Sequence, residues 1–196
     1  MNFILKTLAL IGLMLLLPII FITMLLVIIE DGFPGLFIQE RLGKDKKIIK
    51  IYKIRTMKNS TPDLGTHEIK DSHILKSSKF IRSFKIDELP QVINYVVGDI
   101  KLIGPRPGLP NQYELTKYRE KEGIFDIAPG ITGLSQILGY DMSKPKLLSK
   151  IDKLYIENKN LRLDLMIFFA TFLPFLRKKI KMFFHMKIQE INNKLT

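Results

Sequence analysis

Two apolar stretches lie near the ends of the chain, with a more polar body between them. The first, Ile4 to Ile29, is apolar except for Lys6 and two threonines. It is longer than the roughly 20 residues that cross a bilayer core. Glu30 and Asp31 offer no small-residue cleavage site, which disfavours a cleaved signal peptide. The pattern therefore predicts a membrane-inserted helix over residues 1–30.

Pro18 lies in the middle of this apolar run. A proline inside a helix removes one hydrogen bond and clashes with the carbonyl four residues earlier. A spanning helix tolerates such a kink when neighbouring groups satisfy the freed carbonyl. A re-entrant helix, which enters and leaves on one face of the membrane, also needs a break of this kind. The residues alone leave both topologies open.

The polar body, residues 31–173, has a mixed pattern. Lys47–Met57 is rich in isoleucine with partial alternation and predicts a strand. Residues 59–72 are polar, contain Pro and Gly, and predict a loop. Residues 119–141 predict a packed loop, and helical periodicity returns over residues 146–173. We therefore expect an α/β protein whose compact, mostly helical body contains a small sheet.

Two adjacent carboxylates, Asp87 and Glu88, open a predicted helix over residues 87–97. Pro90 suits its first turn, where the backbone N–H is unpaired anyway, and Gly98 suits its end. Acidic side chains at a helix N-terminus often do no more than stabilise the helix dipole. A catalytic role for the pair requires phosphate-binding groups or a metal nearby.

The C-terminal stretch, residues 174–196, predicts a basic amphipathic tail that lies on the membrane surface. The alternative is a core helix with a solvated basic edge. Apolar residues recur at helical spacing on one side, and basic residues fall largely on the other. The apolar set is Leu176, Ile180, Phe183 and Phe184; the basic set is Arg177, Lys178, Lys181 and His185.

The charge favours anionic partners, because 31 basic residues face 19 acidic ones and the formal net charge is +12. Residues 41–58 alone contain eight basic side chains, which form either a solvated strand edge or a surface for headgroups or phosphate. The chain has no cysteine, which excludes disulfides and thiolate chemistry.

Arginines accompany the acidic pair: Arg82 lies five residues before Asp87, and Arg106 lies between two prolines. A stiff arginine is a good bidentate phosphate ligand. Carboxylates, arginines and a cationic field together suit phosphoryl transfer with Mg²⁺, in which a carboxylate can also be the covalent acceptor.

Four stretches in order resemble the bacterial sugar transferase family, the monotopic phosphoglycosyl transferases. They are FIQERLGKDKKIIKIYKIRTM, IRSFKIDELPQVINYVVGDIKLIGPRPGLP, PGITGLSQILG and IDKLYIENKNLRLDL. The resemblance extends from the apolar N-terminus to about residue 173. Lys85 departs from the family, which often has a serine two residues before the aspartate.

The resemblance implies transfer of a sugar 1-phosphate from a UDP-sugar to undecaprenyl phosphate, with release of UMP, as a first membrane step of glycoconjugate or polysaccharide assembly. It implies that Asp87 is the nucleophile, that Glu88 assists it, and that both hold Mg²⁺. Arg82, Arg106 and Arg55 are the expected phosphate and substrate ligands.

The resemblance also implies a re-entrant N-terminal helix broken at Pro18, with the catalytic body on the cytoplasmic face of the bacterial inner membrane. The expected partners are the two substrates and an anionic bilayer, with downstream glycosyltransferases possible and no nucleic acid. Two alternatives stay open: a bitopic member of the same enzyme class, and a non-catalytic basic protein that binds anionic lipid or nucleic acid. The residues leave the sugar unspecified.

Overall fold

The computed structural model describes residues 3–61 and 73–193, which form eight α-helices and two two-stranded sheets. The mostly helical body with small sheets agrees with the predicted fold class. The helices are α1 Phe3–Asp31, α2 Ser78–Ser83, α3 Gln91–Val97, α4 Tyr113–Lys121, α5 Leu134–Leu138, α6 Pro145–Asn158, α7 Leu161–Phe172 and α8 Pro174–Asn193. The strands are β1 Leu36–Leu42, β2 Ile48–Ile54, β3 Lys101–Ile103 and β4 Gly130–Thr132.

The chain folds as two compact units. The first unit comprises Met1–Glu40 and Ile49–Asp99, and the second comprises Arg41–Ile48 and Ile100–Thr196. The β1–β2 hairpin contributes to both units, since its tip belongs to the second.

Helix α1 agrees with the predicted apolar N-terminal helix, but it continues as a single α-helix through Pro18, so the break predicted at that residue is not seen within Phe3–Asp31. Residues Lys6–Asp31 form a helix that is long and apolar enough to cross a membrane. One side of α1 also packs within the first unit, where Ile20 and Val27 are buried against residues of β2 and α2. The rest of that cluster is Ile54, Leu75 and Ile81, with Leu13, Leu16, Met24, Ile86 and Leu89 partly buried around it.

Strand β2 lies within the predicted strand, and the predicted loop of residues 59–72 falls largely outside the described residues. The predicted helix after the acidic pair begins later than expected, because Ile86–Glu88 form a 3-10 turn and α3 begins at Gln91. Pro90 lies at its N-terminal boundary, and Gly98 ends it in the left-handed conformation with φ 104°. Gly98 therefore identified the C-terminal end of the helix, whereas its start lies four residues after the predicted one at Asp87.

The second unit has its core between α5, α6, α7, α8 and β3. The predicted helical stretch after residue 145 divides into α6 and α7. Asn160 caps α7, because its side-chain oxygen accepts a hydrogen bond of 2.9 Å from the Leu163 backbone N–H. The Tyr155 hydroxyl of α6 links this helix to α7 and β3. It donates to Asp164 of α7 at 2.7 Å and lies 3.4 Å from the Ile103 carbonyl of β3.

Helix α8 requires a correction to the predicted tail. Ile180 and Phe184, assigned to a lipid-facing side, are instead buried in the protein core together with Ile188. Core packing therefore accounts for that face, as the alternative interpretation expected. A different side of α8 remains apolar and exposed, and carries Phe175, Met182, Phe183 and Met186.

The predicted packed loop of residues 119–141 contains two elements that the pattern missed, β4 and α5. Strand β4 pairs in parallel with β3, with Lys101 opposite Gly130 and Ile103 opposite Thr132. Both strands are short and pair across a long separation in sequence, so neither has the local alternation that identifies a strand.

A buried ion pair joins α4 to α6 in the second unit. Arg119 donates to Asp152 at 2.6 Å, and the exposed fraction of each side chain is 3% or less. The Ser135 hydroxyl donates to the other Asp152 oxygen at 2.9 Å. Removal of one partner of such a pair leaves an uncompensated buried charge.

We expect Arg119→Met to lower the free energy of unfolding by about 3–5 kcal/mol, because Asp152 loses its cation. The measurement is urea unfolding of detergent-solubilised protein. Lys46→Met is the matched control, since its partner Glu120 is solvent-exposed and such pairs contribute about 0–1 kcal/mol. Equal losses in the two variants would contradict this assignment.

Candidate active site

The acidic pair occupies a tight turn of the first unit. Lys85 precedes it in the left-handed conformation, with φ 59° and ψ 23°. Ile86–Glu88 then form the 3-10 turn, and Leu89 and Pro90 have right-handed helical angles that lead directly into α3. Asp87 and Glu88 are therefore at the N-terminal end of a nearly continuous helical segment, where the backbone dipole favours negative charge.

Asp87 is half-buried, and among the described residues its Oδ1 atom is buried without a hydrogen-bond partner. Burial raises the pKa of Asp87, and the adjacent Glu88 raises it further. Lys53, Lys85 and Arg82 act in the opposite direction and lower it. The carboxylate is thus held among three cations without a direct hydrogen bond to that oxygen, an arrangement that leaves the oxygen available for an electrophile or a metal.

Arg82 is the cation that the sequence correctly placed near the pair. Its Nε and Nη2 atoms donate to the Thr56 hydroxyl at 3.0 and 2.8 Å, which fixes the guanidinium beside Asp87. Lys53 of β2 lies close enough to affect the same carboxylate. Sequence reasoning counted Lys53 only as part of a basic run, because its proximity to Asp87 depends on tertiary packing.

Arg55 makes a different set of contacts from those expected of a phosphate ligand. It is 5% exposed and pairs with Asp31 at 2.7 Å. It also donates to the Gly32 carbonyl at 2.5 Å and to the Asp31 carbonyl at 3.3 Å. The side chain caps the end of α1, so we leave Arg55 out of the candidate phosphate ligands.

Arg106 belongs to the second unit, where the backbone around it is held at three successive carbonyls. The Pro105 carbonyl accepts from Gly130 N–H at 2.9 Å. The Arg106 carbonyl accepts from the Arg119 guanidinium at 2.7 Å, and the Pro107 carbonyl accepts from Arg41 at 3.2 Å. Both prolines are buried and Arg106 is half-buried between them. The sequence predicted the stiffness of this segment but missed Arg41 and Arg119.

The acidic pair fits a magnesium site whose remaining ligands come from substrate phosphates and water. Mg²⁺ in phosphate-handling enzymes is usually bound through one or two carboxylates together with substrate phosphates and water. Asp87 and Glu88 supply adjacent carboxylates, and the Asp87 Oδ1 atom, which has no partner within residues 3–61 and 73–193, is a suitable ligand atom. Within residues 3–61 and 73–193, no group of three or more His, Asp or Glu side chains could hold a metal without substrate.

Comparison with known proteins identifies the family. Residues 2–178 match the family model described as bacterial sugar transferase. The chain belongs to this family. The match extends from the apolar helix to the start of α8, and confirms the resemblance found in the four sequence stretches.

Curated sugar transferases share about a third of their residues with the chain. It is 36% identical over 154 residues to the uncharacterized sugar transferase EpsL of Bacillus subtilis. The matched region covers 78% of the chain and 75% of that relative. It is 34% identical over 164 residues to the UDP-N-acetylgalactosamine-undecaprenyl-phosphate N-acetylgalactosaminephosphotransferase of Aeromonas hydrophila. This matched region covers 79% of the chain but 38% of that relative.

A third relative is the UDP-glucose:undecaprenyl-phosphate glucose-1-phosphate transferase of Caulobacter vibrioides, 30% identical over 165 residues that cover 79% of the chain and 61% of that protein. The chain therefore spans less than two thirds of the length of both named phosphotransferases. These relatives share undecaprenyl phosphate in their names and differ in the sugar.

We expect the titration of Asp87 to respond in opposite directions to two substitutions. Lys53→Met removes a cation that lowers its pKa, so the pKa should rise; Glu88→Gln removes a negative charge that raises it, so the pKa should fall. NMR of isotope-labelled aspartate in metal-free protein measures both. Lys50→Met, on an exposed residue of the same strand, should leave the Asp87 titration unchanged. A shift in the same direction in both site variants would refute the assigned environment.

Proposed function

We propose that this sugar transferase moves a sugar 1-phosphate from a UDP-sugar to undecaprenyl phosphate and releases UMP. The observation that carries the proposal is the half-buried Asp87, whose Oδ1 atom has no partner within the described residues and lies among cations. The names of relatives that act on undecaprenyl phosphate support the acceptor, and an exopolysaccharide production protein of Rhizobium leguminosarum supports a role in polysaccharide assembly. The sugar is left open because those names differ.

The first step is attack by an Asp87 carboxylate oxygen on the β-phosphorus of the UDP-sugar. A bond forms between that oxygen and phosphorus, the bond from phosphorus to the bridging oxygen breaks, and the electron pair leaves with UMP. In the second step an oxygen of undecaprenyl phosphate attacks the same phosphorus, and the carboxylate of Asp87 is regenerated. A carboxylate nucleophile thus divides the transfer into two displacements.

Positively charged and polar side chains position the phosphates and offset their charge. Arg82 and Lys53 supply positive charge beside Asp87, and the buried Glu88 assists by binding the metal or transferring a proton. Arg106, on its fixed backbone, is proposed as a bidentate ligand of a substrate phosphate. Mg²⁺, held by Asp87 and Glu88 when bound, would neutralise charge on the phosphoryl oxygens.

We propose that α1 is re-entrant and that the catalytic body lies on the cytoplasmic face of the inner membrane; the packing of α1 supports the re-entrant part of this proposal. Residues from Leu13 to Val27 pack against the core of the first unit, a length of about 21 Å at 1.5 Å per residue. A helix that crossed the bilayer on its own would place only its end against a body outside the membrane. Anionic lipid suits the excess of basic residues.

A non-catalytic basic surface protein is the weaker candidate. Anionic lipid or nucleic acid would be attracted by the net charge of +12, but neither requires a half-buried carboxylate among cations. Membership of a transferase family also favours the enzyme.

The proposed activity is tested by UMP release from a panel of UDP-sugars in the presence of undecaprenyl phosphate and Mg²⁺. We expect turnover with at least one sugar, and a trappable phosphosugar adduct on Asp87 when the acceptor is omitted. Asp87→Asn keeps the shape but removes the attacking charge, so turnover should fall by several orders of magnitude while the fold is retained. Near-normal turnover of that variant would exclude the covalent route.

The topology is tested by single-cysteine labelling, since the native chain has no cysteine. Cysteines at Asn2 and Lys44 should both resist a membrane-impermeant thiol reagent in intact cells and react once the cells are opened. Reaction of the Asn2 site in intact cells would rule out the re-entrant arrangement. Pro18→Leu restores a continuous hydrogen-bond ladder, worth up to about 3 kcal/mol, and should shift the helix toward spanning.

A further inference from the structure

A stripe of polar side chains follows one face of the helical segment that begins with the acidic pair. Asp87, Gln91 and Asn94 are spaced at i, i+4 and i+7, and the backbone from Ile86 to Val97 is nearly continuous in its helical angles. Residues at this spacing lie above one another on a helix surface. The three side chains therefore form a column within the first unit.

Asn94, at the far end of the column, has its amide nitrogen and its amide oxygen both hydrogen-bonded within the protein. It is fully buried, donates to the Lys50 carbonyl at 2.6 Å and accepts from the Tyr52 N–H at 3.2 Å. It also lies 3.3 Å from an Asp99 oxygen. These bonds attach α3 to β2 and set the direction in which the column faces.

Gln91, one turn nearer the acidic pair, differs from Asn94. It is 3% exposed, and its Nε2 atom is buried without a hydrogen-bond partner among the described residues. Buried amide donors in folded proteins are nearly always paired, because an unpaired donor loses its hydration without compensation. A buried amide without a partner in the described part of the chain, four positions after a candidate catalytic carboxylate, points to a partner that arrives with a ligand.

The unpaired groups of Gln91 and Asp87 are complementary to a single phosphoryl group. The Nε2 atom of Gln91 is a donor, and the Oδ1 atom of Asp87 is an acceptor that is also without a partner in the described part of the chain. A phosphoryl group offers an electrophilic phosphorus to the carboxylate and a non-bridging oxygen to the amide. An amide donor is neutral, so it can bind that oxygen without forming an ion pair with the nucleophile.

We propose that Gln91 binds a non-bridging oxygen of the β-phosphate of the sugar nucleotide and so orients the phosphorus toward Asp87. The proposal rests on the proposed function, since it assigns a ligand to the same site. Lys53 and Arg82 provide the positive field, and Gln91 provides a directional hydrogen bond. Gln91 is thereby a substrate-binding residue and not part of the structural attachment that Asn94 makes.

Loss of the Gln91 amide should lower kcat/KM without lowering the melting temperature. This combination distinguishes a substrate-binding role of Gln91 from a structural one. Gln91→Met keeps the length of the side chain and removes the unpaired amide, so the melting temperature should stay the same or rise. In the same variant kcat/KM for the UDP-sugar should fall about ten- to a hundredfold, the value of a hydrogen bond to a charged group. Gln189→Met makes the same chemical change on an exposed residue of α8 and should alter neither quantity.

Binding without turnover separates contact with substrate from an effect on the nucleophile. In the Asp87→Asn background, the Kd of the UDP-sugar, measured by calorimetry, should rise about tenfold or more when Gln91→Met is added. An unchanged Kd would mean that Gln91 acts only through Asp87, and would overturn the proposal. Unchanged kcat/KM in the single variant would also overturn it, while wild-type turnover of the UDP-sugar would leave the proposed function intact.

A second variant covers the case in which Gln91→Met does not fold. Gln91→Glu keeps the shape but replaces the donor with a negative charge that repels phosphate, so kcat/KM should fall further than in the methionine variant. Retention of wild-type kcat/KM in Gln91→Glu would refute the proposal. If the wild-type protein turns over none of the UDP-sugars, the proposed function fails and the assignment of Gln91 fails with it.

Discussion

The geometry of the Pro-Arg-Pro segment depends on a close approach of two backbone segments, one at Gly104 and the other at Gly130 and Gly133. A Cβ atom at Gly130 would lie 2.2 Å from the Gly104 nitrogen, and one at Gly133 would lie 2.1 Å from the Gly104 oxygen. Neither position has room for any side chain. The close approach permits the hydrogen bond from Gly104 N–H to the Thr132 carbonyl at 3.0 Å, and this bond extends the β3–β4 pairing up to the segment that carries Arg106.

Several arginine side chains bind carbonyl groups of the protein itself. Their positive charge is therefore less available to anionic partners than the net charge indicates. Arg119 and Arg41 bind carbonyls of the Pro-Arg-Pro segment, and Arg55 binds the end of α1. Arg177 likewise donates to the Ala170 and Thr171 carbonyls at the end of α7. A guanidinium suits this task because several N–H groups point in fixed directions. The charge available for anionic partners is therefore carried more by lysines than the composition suggests.

Features with a local cause were predictable from the sequence. Gly98 marked the end of α3 and Pro90 fell at its start because their backbone preferences are intrinsic, although the pattern predicted a start at Asp87. Arg82 was placed near Asp87 because only a short turn separates them. By contrast, β4 and α5 arise from long-range pairing, and the break at Asn160 interrupts a pattern that is apolar on both sides. The lipid-facing side assigned to the tail was wrong for Ile180 and Phe184, since an apolar face does not specify whether protein or lipid covers it.

The candidate site was likewise predictable only where its residues are close together in the sequence. Asp87, Glu88 and Arg82 are close in sequence, whereas the proximity of Lys53 to Asp87 and the burial of the Gln91 amide depend on how α3 packs against β2. The contacts of Arg55 with the end of α1 were not predictable, because a basic side chain in a family motif gives no indication of the carbonyls that it binds.

The shared core of α1 and the first unit has a consequence for the modular character of the enzyme. Ile20 and Val27 fill the same cluster as Ile54, Leu75 and Ile81, and Ile86, in the turn that carries the acidic pair, packs against it. A truncation that removes α1 would expose this apolar cluster to water and leave the guanidinium of Arg55 buried without Asp31. Helix α1 is thus a structural part of the unit that carries the carboxylates, and its removal should destabilise that unit.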